Sequence, residues 1–190
     1  MTEENHVNFP FIRKASVLRG KSLVFRNATE LDAEFILSLR TDSVKSRYLS
    51  ATSADIEAQK AWLQRYVCAD DQVYFMIQSA GRLVGTVRLY NALVDSFCWG
   101  SWILASDAPG TAAIESALMV YAYAVDHLGF QGAHFDVRKG NKSVWKFHER
   151  FGAVRMGETK EDFLYQIPLA AIQQARSRYA KLLPDGVVVG

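Results

Sequence analysis

The stretch DVRKGNKSVWKFHERFGA at residues 136–153 carries two polar side chains placed where they could do chemistry. Asn141 stands where a predicted strand gives way to a helix, and His148 follows seven residues later on the apolar face of that helix. A polar group that points into a packed seam must find a hydrogen-bond partner or serve a purpose. Asn141 is also a favoured helix cap, and His148 is either a satisfied core residue or a proton-transfer group, since an imidazole titrates near neutral pH.

A second stretch, SDAPGTAAIE at residues 106–115, places Gly110, Thr111 and Ala112 at the start of a predicted helix. Free N–H groups and the positive end of the helix dipole favour an anion there, and small side chains let a pyrophosphate approach the backbone closely. A Pro-Gly pair before a helix also serves as a plain turn. Taken alone, the stretch leaves both interpretations open.

The 190 residues fit one domain with a well-buried core. A hydrophobic share of 49% and a net charge of +2 give no reason to expect nucleic acid or an anionic membrane as the main partner. No window is long and apolar enough for a membrane span, and residues 1–20 lack the apolar core of a signal peptide. Cys68 and Cys98 show no metal-ligand spacing, so no metal site is expected and both thiols are predicted to be reduced in a cytoplasmic protein.

Hydrophobic periodicity predicts a strand at Ser22–Arg26 followed by two helices. Thr29 with Asp32, and later Thr52 with Asp55, have the spacing of helix-start signals. The buried helix faces are predicted to comprise Leu31, Phe35, Ile36 and Leu39 in the first helix and Ile56, Leu63, Tyr66 and Val67 in the second.

Further along, alternating side chains predict three consecutive strands, VYFMIQS, RLVGTVRLYN and SFCWGSWILA, that form an antiparallel meander. Trp99 and Trp102 of the third strand are expected in the core on opposite faces. A long helix that ends at Gly129, a strand AHFDV, the helix after Asn141, a closing strand pair and a terminal helix at Leu169–Leu183 follow.

This order of elements predicts an α/β fold: a mixed, mostly antiparallel twisted sheet with helices on both faces, in a single domain. The domain is predicted to span residues 21–183. Residues 1–20 are interpreted as an N-terminal extension that packs on the domain or on an assembly partner, and residues 184–190 as a C-terminal tail.

The two chemically interesting stretches together resemble motifs of the GNAT (GCN5-related) N-acetyltransferase superfamily. The family turn reads Gln/Arg-x-x-Gly-x-Gly/Ala, and residues 107–112 match it at Gly110 and Ala112. The later family pattern, Asn-x-x-Ala-x-x-Leu-Tyr-Glu-Lys-x-Gly-Phe, is matched at Asn141, Phe147, Glu149, Arg150 and Gly152. The resemblance spans residues 22–168 and implies a GNAT-type sheet and an acetyl-CoA-dependent N-acetyltransferase that acts on a primary amine.

The resemblance also implies which residues hold acetyl-CoA: Trp102, Ile103, Leu104, Gly110, Thr111, Ala112, Asn141 and Phe147. The backbone groups of Trp102, Ile103 and Leu104 would pair with the pantetheine amides, as the backbone of an added strand does. An N–H near Ile103 would stabilise the oxyanion. Gly110, Thr111 and Ala112 would hold the pyrophosphate through their backbone N–H groups. Asn141 would bond the pantetheine arm, and Phe147 would pack beside it.

Two positions depart from the family pattern. Asp107 stands where the family has Gln or Arg, and a carboxylate beside a pyrophosphate weakens binding unless it points away. His148 stands where the family commonly has a Tyr that protonates the departing thiolate, and an imidazole with a pKa near neutrality could do the same. Asp136 is the predicted base that keeps the amine neutral, and Asp95 and a water chain remain open.

The acceptor is predicted to be a small-molecule amine. Arg47 and Tyr48, between the first two helices, and Arg88 and Tyr90, on one face of the second meander strand, are predicted to bind it. The chain looks most similar to the branch of the family that acetylates amino groups on nucleotide-linked sugars. A protein N-terminal acetyltransferase and a non-catalytic acyl-CoA-binding or interaction module remain alternatives, and a homodimer is left open.

Overall fold

The computed structural model describes residues 9–42, 47–48 and 53–190. Within these residues, nine strands form one sheet in the order β7-β8-β6-β5-β4-β3-β2-β1-β9, antiparallel except for the parallel pair β5–β6. The strands are β1 Val17–Arg19, β2 Leu23–Asn27, β3 Val73–Ser79, β4 Arg82–Leu93, β5 Ser96–Leu104, β6 Gly132–Arg138, β7 Val154–Glu158, β8 Asp162–Pro168 and β9 Val188–Val189. This arrangement confirms the predicted mixed, mostly antiparallel sheet in a single domain.

The helices cover both faces of the sheet, and within the described residues they are α1 Ala33–Thr41, α2 Ile56–Cys68, α3 Ala112–Ala122, α4 Lys142–Arg150 and α5 Leu169–Arg178. Strand β3 serves both cores because its successive side chains alternate. Tyr74 and Met76 pack in the cluster with α1 and α2, whereas Phe75 and Ile77 pack in the cluster with α3, α4 and α5. None of the helices described is long and apolar enough to cross a membrane.

The sequence predicted no strand within residues 1–20 or 184–190, and that prediction is wrong in both places. Val17–Arg19 pairs with β2, and Val188–Val189 pairs with Val17–Arg19 at the edge of the sheet. Both strands are too short to show an alternating pattern, and their pairing comes from backbone hydrogen bonds. Parts of the predicted extension and tail are therefore built into the sheet.

Two residues predicted on buried helix faces are exposed instead: Leu31 exposes 94% of its surface and Val67 exposes 62%. The predicted capping box is present, but it opens a 3-10 turn at Glu30–Asp32 before the α-helix begins at Ala33. The tighter 3-10 winding turns Leu31 away from the apolar stripe. Val67 lies beside the buried Tyr66, outside the narrow apolar stripe of α2.

The start of α2 agrees with the sequence prediction at Asp55. Its carboxylate accepts hydrogen bonds from the backbone N–H groups of Glu57, at 2.9 Å, and Ala58, at 3.3 Å. Two amides that the first helical turn leaves without partners are thereby satisfied. Thr52, the other residue of the predicted signal, lies outside the described residues.

Strand β5 contains a β-bulge that changes which side chains share a face. Between the pairs Arg88–Gly100 and Thr86–Ile103, β5 has one residue more than β4. Ser101 takes up this extra length with a φ of 47°, and its carbonyl accepts a hydrogen bond of 2.8 Å from the Thr86 hydroxyl. A bulge of this kind shifts every later side chain of the strand to the other face.

The bulge makes the prediction of Trp99 and Trp102 on opposite faces wrong. Their ring centroids lie 5.3 Å apart, and both rings contact His148 on the same side of the sheet. The prediction assumed strict alternation, which the extra residue cancels. The two indoles together form one aromatic wall.

Strands β5 and β6 pair only from Ser96–Cys98 with Gly132–His134 and then separate. Beyond this point β5 continues along β4, while β6 continues along β8. No described strand fills the space between them, so a V-shaped cleft opens at this place in the sheet. This opening leaves the end of β5 with a free edge, as the pairing with an added strand implied by the family resemblance requires.

A buried carboxylate fixes α3 against the sheet. Glu115 exposes only 1% of its surface and accepts hydrogen bonds from the N–H of Leu23, at 2.9 Å, and of Ser22, at 2.6 Å, as well as from the Ser22 hydroxyl. A buried charge is tolerated when donors surround it in this way. The N-terminus of α3, which borders the cleft, is thus tied to β2.

We expect Glu115→Gln to destabilise the protein by about 2 kcal/mol, because hydrogen bonds to a charged group are lost and one amide donor then faces another. Urea unfolding measures the effect. Glu57→Gln is the matched control, since Glu57 pairs with Lys60 on the exposed surface of α2. Equal free energies of unfolding for the two variants would contradict the anchoring role of Glu115.

Candidate active site

The cleft between the diverging strands holds a cavity of about 290 Å³, called here the donor cavity. Its wall is formed mainly by β5, β6 and α4, and it is completed by Arg40 of α1, Tyr48 of the segment after α1 and Tyr90 of β4. The structure brings together on this wall six residues that the sequence predicted for the site: Tyr48, Tyr90, Trp102, Asp136, Asn141 and His148.

The open edge of β5 presents backbone groups to the cleft. The Ala105 N–H donates to the Val84 carbonyl, and a Cβ on Gly85 would collide with the carbonyl oxygen of Ile103, so these β5 groups face β4. Because backbone direction alternates along a strand, the polar groups of Trp102 and Leu104 face the opening. They fit an extended amide chain added as a further strand, and their N–H groups, rather than that of Ile103, lie on the cleft side.

The turn before α3 offers two of the three predicted anion-binding amides. Among the described residues, the N–H groups of Gly110 and Thr111 have no protein acceptor, whereas that of Ala112 donates to the Pro109 carbonyl at 2.8 Å. A Cβ placed on Gly110 meets nothing within 4 Å, so the approach to this turn is open. The turn fits a pyrophosphate at Gly110 and Thr111, while the prediction that the Ala112 amide is available is wrong.

Asp107, the departure from the family turn, is paired with a cation. One Asp107 carboxylate oxygen lies 3.2 Å from the guanidinium of Arg82, and both side chains are exposed. The arginine offsets the negative charge beside the turn. The predicted weakening of cofactor binding by Asp107 stays a prediction.

We expect Gly110→Glu to abolish binding of acetyl-CoA without unfolding the protein, because the side chain enters open space and adds a negative charge where the pyrophosphate would lie. Gly110→Ala is the control, since a methyl group fits there. Calorimetry with acetyl-CoA measures affinity, and thermal melting checks the fold. Unchanged affinity in Gly110→Glu would show that the anion site lies elsewhere.

Asn141 occupies the N-cap position of α4, but its side chain caps no backbone amide there. Its Oδ1 accepts a hydrogen bond of 3.2 Å from the Ser143 hydroxyl. The amide NH2 has no protein acceptor among the described residues and lies on the donor cavity wall. The capping interpretation is therefore wrong for the side chain, and the binding of the pantetheine arm by Asn141 stays a prediction. The Phe147 ring packs against Trp102, with centroids 5.0 Å apart and ring planes tilted by 50°.

His148 is 5% exposed and lies among aromatic rings, the nearest being Phe135 with a centroid distance of 4.2 Å. Its Nδ1 is buried and has no hydrogen-bond partner within the described chain. Burial without a compensating charge lowers the pKa of His148 to about 3. The prediction of a pKa near neutrality is wrong, and the imidazole is neutral at physiological pH.

We expect His148→Phe to remove a pH dependence of stability. Between pH 6.5, where the unfolded imidazole titrates, and about 3, the unfolded state binds a proton that the folded state does not. Stability is therefore complete above this window and falls as the pH falls through it. Between pH 7.5 and 5 the loss amounts to about 2 kcal/mol.

Urea unfolding at the two pH values tests this expectation. The control His127→Gln removes an exposed imidazole. If the wild type and His148→Phe lose equal stability on acidification, then His148 is not held neutral by burial.

Two carboxylates, Asp136 and Asp95, are candidates for the base that keeps the amine neutral. Of these two, Asp136 lines the donor cavity. Its side chain is exposed and lines the wall near Tyr90 and Cys98. Asp95 lies instead in the turn before β5, on the wall of a different surface cavity. Burial raises the pKa of Cys98 to about 11, so the thiol beside Asp136 is protonated at neutral pH.

A second cavity of about 360 Å³, called here the arginine cavity, adjoins the first. Arg40 and Ser101 line both cavities. The lining of the second also includes Gln59, Trp62, Arg65, Tyr74 and Arg88. The sequence prediction included Arg88 but not Arg40, Arg65 or Tyr74. The spacing of Gln59 and Trp62, which brings a polar and an aromatic side chain onto one face of α2, was a signal that could have indicated it.

Arg88 lies between two aromatic rings in this cavity. Its guanidinium carbon is 5.3 Å from the Trp62 centroid and 4.7 Å from the Tyr90 centroid. Its Nε is buried and has no hydrogen-bond partner among the described residues. Burial lowers the pKa of Arg88 from its ordinary value, and cation–π contacts offset part of the cost of that burial.

Tyr48 connects the segment after α1 with the turn before α4. A Cβ on Gly140 would lie 2.8 Å from the Tyr48 ring, so glycine leaves the room that the ring needs. Arg47 is exposed, with its guanidinium carbon 5.4 Å from the Tyr48 centroid, and it lines neither cavity. Of these two predicted acceptor residues, only Tyr48 is brought to the site.

The geometry described so far, a cleft in the sheet beside a turn with two unpaired amides, fits an acetyltransferase, and comparison with known proteins agrees. A family model described as "Acetyltransferase (GNAT) domain" matches residues 22–154. The chain therefore belongs to the GNAT acetyltransferases, which use acetyl-CoA as cosubstrate.

Solved structures add detail. The chain is similar to apo FdhC, which is described as a nucleotide-linked sugar GNAT. The two sequences are 37% identical, the match covers 93% of this chain and 99% of that chain, and the TM-score is 0.78. Two distant structures share the fold. A GCN5-related N-acetyltransferase from Brucella melitensis is 16% identical. The match covers 94% of this chain and 91% of that chain, with a TM-score of 0.74. A spermidine N-acetyltransferase from Vibrio cholerae, solved with CoA and spermine, is also 16% identical. The match covers 80% of this chain and 98% of that chain, with a TM-score of 0.70. No curated protein matches the chain.

Proposed function

We propose that this protein transfers the acetyl group of acetyl-CoA to the primary amine of a nucleotide-linked amino sugar. The observation that carries the proposal is the composition of the arginine cavity, which adjoins the donor cavity. Three arginines, Arg40, Arg65 and Arg88, line it, and its described lining contains no Asp or Glu. An acceptor that enters here meets positive charge, so an acceptor with phosphate groups is favoured.

The same charge pattern disfavours a polyamine acceptor. A polycation needs carboxylates around it, and like charges repel strongly where water is partly excluded. Asp136 is the carboxylate on the described wall of the donor cavity, at the place where a single amine would need to lose its proton. One acidic group beside several basic groups suits a molecule with one amine and several negative charges.

The resemblance to FdhC supports the same acceptor class. That structure is described as a nucleotide-linked sugar GNAT, and its 37% identity extends over 93% of this chain. The distant spermidine acetyltransferase supports only the fold, because its identity is 16%.

The proposed reaction is direct attack of the neutral amine on the thioester carbonyl. The two cavities meet at Ser101, so both substrates can be held side by side, which supplies much of the rate enhancement in such a reaction. Backbone N–H groups on the cleft side of β5 would hydrogen-bond the developing oxyanion. Cys98, with its raised pKa, is a poor nucleophile, which supports direct attack rather than an acyl-enzyme.

Proton transfers would involve the two predicted catalytic residues. Asp136 would accept the proton that the amine loses, since its carboxylate lies on the donor cavity wall. His148, neutral because burial lowers its pKa to about 3, would hydrogen-bond the departing thiolate through an imidazole N–H rather than act as an imidazolium acid. The acid-catalysis role predicted from the sequence thus becomes a role in stabilising the leaving group.

A comparison of acceptors tests the function. The purified protein is given acetyl-CoA with a nucleotide-linked amino sugar, the free amino sugar, spermidine or a peptide with a free N-terminus, and CoA release is followed. We expect the nucleotide-linked sugar to be preferred over the free sugar by about 10²-fold in kcat/KM, since phosphate contacts with arginine are lost in the latter. A nucleotide-linked sugar with a hydroxyl in place of the amine is the control and should release no CoA above hydrolysis. Preference for spermidine or the peptide would overturn the proposal.

A further inference from the structure

We infer that Arg88 is the residue that binds the diphosphate of the acceptor, and that it thereby sets acceptor specificity by placing the amine end of the acceptor at the donor cavity. This inference rests on the proposed function for the identity of the acceptor. The binding of a diphosphate in the arginine cavity stands on the structure alone and is tested separately.

The first support is the environment of Arg88. It is half-buried, and none of the described carboxylates forms an ion pair with it. The aromatic rings of Trp62 and Tyr90 hold its guanidinium in place but satisfy none of its N–H donors. A buried arginine with an unsatisfied Nε is costly unless an anion completes its hydrogen bonds. A planar guanidinium held rigidly is suited to bidentate binding of phosphate.

The second support is a buried hydroxyl in the same cavity. Tyr74 exposes only 3% of its surface, and its hydroxyl makes no hydrogen bond of normal geometry among the described residues. The hydroxyl of Thr86, which already donates to the Ser101 carbonyl, lies close to it but outside that geometry. It lines the cavity together with Gln59, which is 9% exposed. Such groups are rarely left unpaired in a folded protein. Their presence beside Arg88 indicates a cavity built to receive a polar ligand rather than a gap in packing.

The third support is the position of the cavity. Arg65, on the exposed side of α2, stands at the outer part of the cavity, while Ser101 stands where it joins the donor cavity. A diphosphate at Arg88 would therefore lie between the nucleoside, toward the exposed side, and the sugar, toward Ser101. The amine of the sugar would then point to Asp136 and the cleft edge of β5.

Calorimetry with inorganic pyrophosphate tests the site directly. The titration is done with CoA at saturating concentration, so that the pyrophosphate site near Gly110 is filled. We expect the wild type to bind, Arg88→Met to bind about 10- to 100-fold more weakly, and Arg88→Lys to lie between them. Arg19→Gln is the matched control and should bind like the wild type, because Arg19 is exposed on β1, away from both cavities. Equal binding by Arg88→Met and the wild type, or no binding by the wild type, overturns the inference.

Steady-state kinetics then test specificity. In Arg88→Met we expect the KM for the nucleotide-linked amino sugar to rise about 10- to 100-fold while the KM for acetyl-CoA stays the same. A purely structural role would instead lower the melting temperature and change both KM values. If Arg88→Met is poorly folded, Arg65→Gln, an exposed substitution, provides the second variant, with a rise of several-fold expected in the acceptor KM alone.

The two proposals fail in different ways. Arg88-dependent binding of pyrophosphate without acetylation of any nucleotide-linked amino sugar would sink the proposed function and leave the diphosphate site standing. Acetylation of that sugar with an unchanged KM in Arg88→Met would sink the inference and leave the function standing.

Discussion

The extra residue in β5 is the constraint on which the site depends. Ser101 is inserted opposite β4 and held by the Thr86 hydroxyl, and the end of β5 continues along β4 in a shifted register. The same bulge turns Trp102 to the side of Trp99, where the two indoles form the wall against which His148 packs. Ser101 also marks the place where the two cavities meet. One backbone irregularity therefore shapes the aromatic wall of the cleft and lies where the cleft connects with the acceptor side.

The buried Glu115 and the half-buried Arg88 show how structural and ligand-binding groups differ. Glu115 is surrounded by donors from β2, and its full set of partners makes it part of the scaffold. Arg88 is held by rings that restrict its position but leave its donors unsatisfied. Folding stabilises the first arrangement by itself, whereas the second becomes complete when an anion binds. The contrast that matters here is in how many hydrogen bonds the protein itself supplies to each group.

The sequence predicted those features that depend on local pattern or on a contiguous motif. The meander, the helix after Asn141 and the turn at Gly110 all belong to this group, because alternation and small-residue spacing are visible in one stretch. The pKa of His148 could not be predicted, since it depends on rings such as Phe135 that other strands bring to the helix. The spacing of Gln59 and Trp62 indicated only one wall of the arginine cavity, and its charge could not be predicted, since Arg65 and Arg88 come from separate elements that only the folded sheet brings together. The side of the sheet that Trp102 occupies depended on a bulge for which the strand pattern gives no sign.

The aromatic lining of the cleft also makes the protein its own optical probe. Three of its four tryptophans, Trp62, Trp99 and Trp102, line the two cavities. Indole emission depends on polarity and on nearby charge, and Trp99 is only 4% exposed, beside a neutral imidazole. Intrinsic fluorescence therefore originates chiefly from the walls of the cleft. Its intensity and wavelength should respond to the filling of either cavity, without any attached dye.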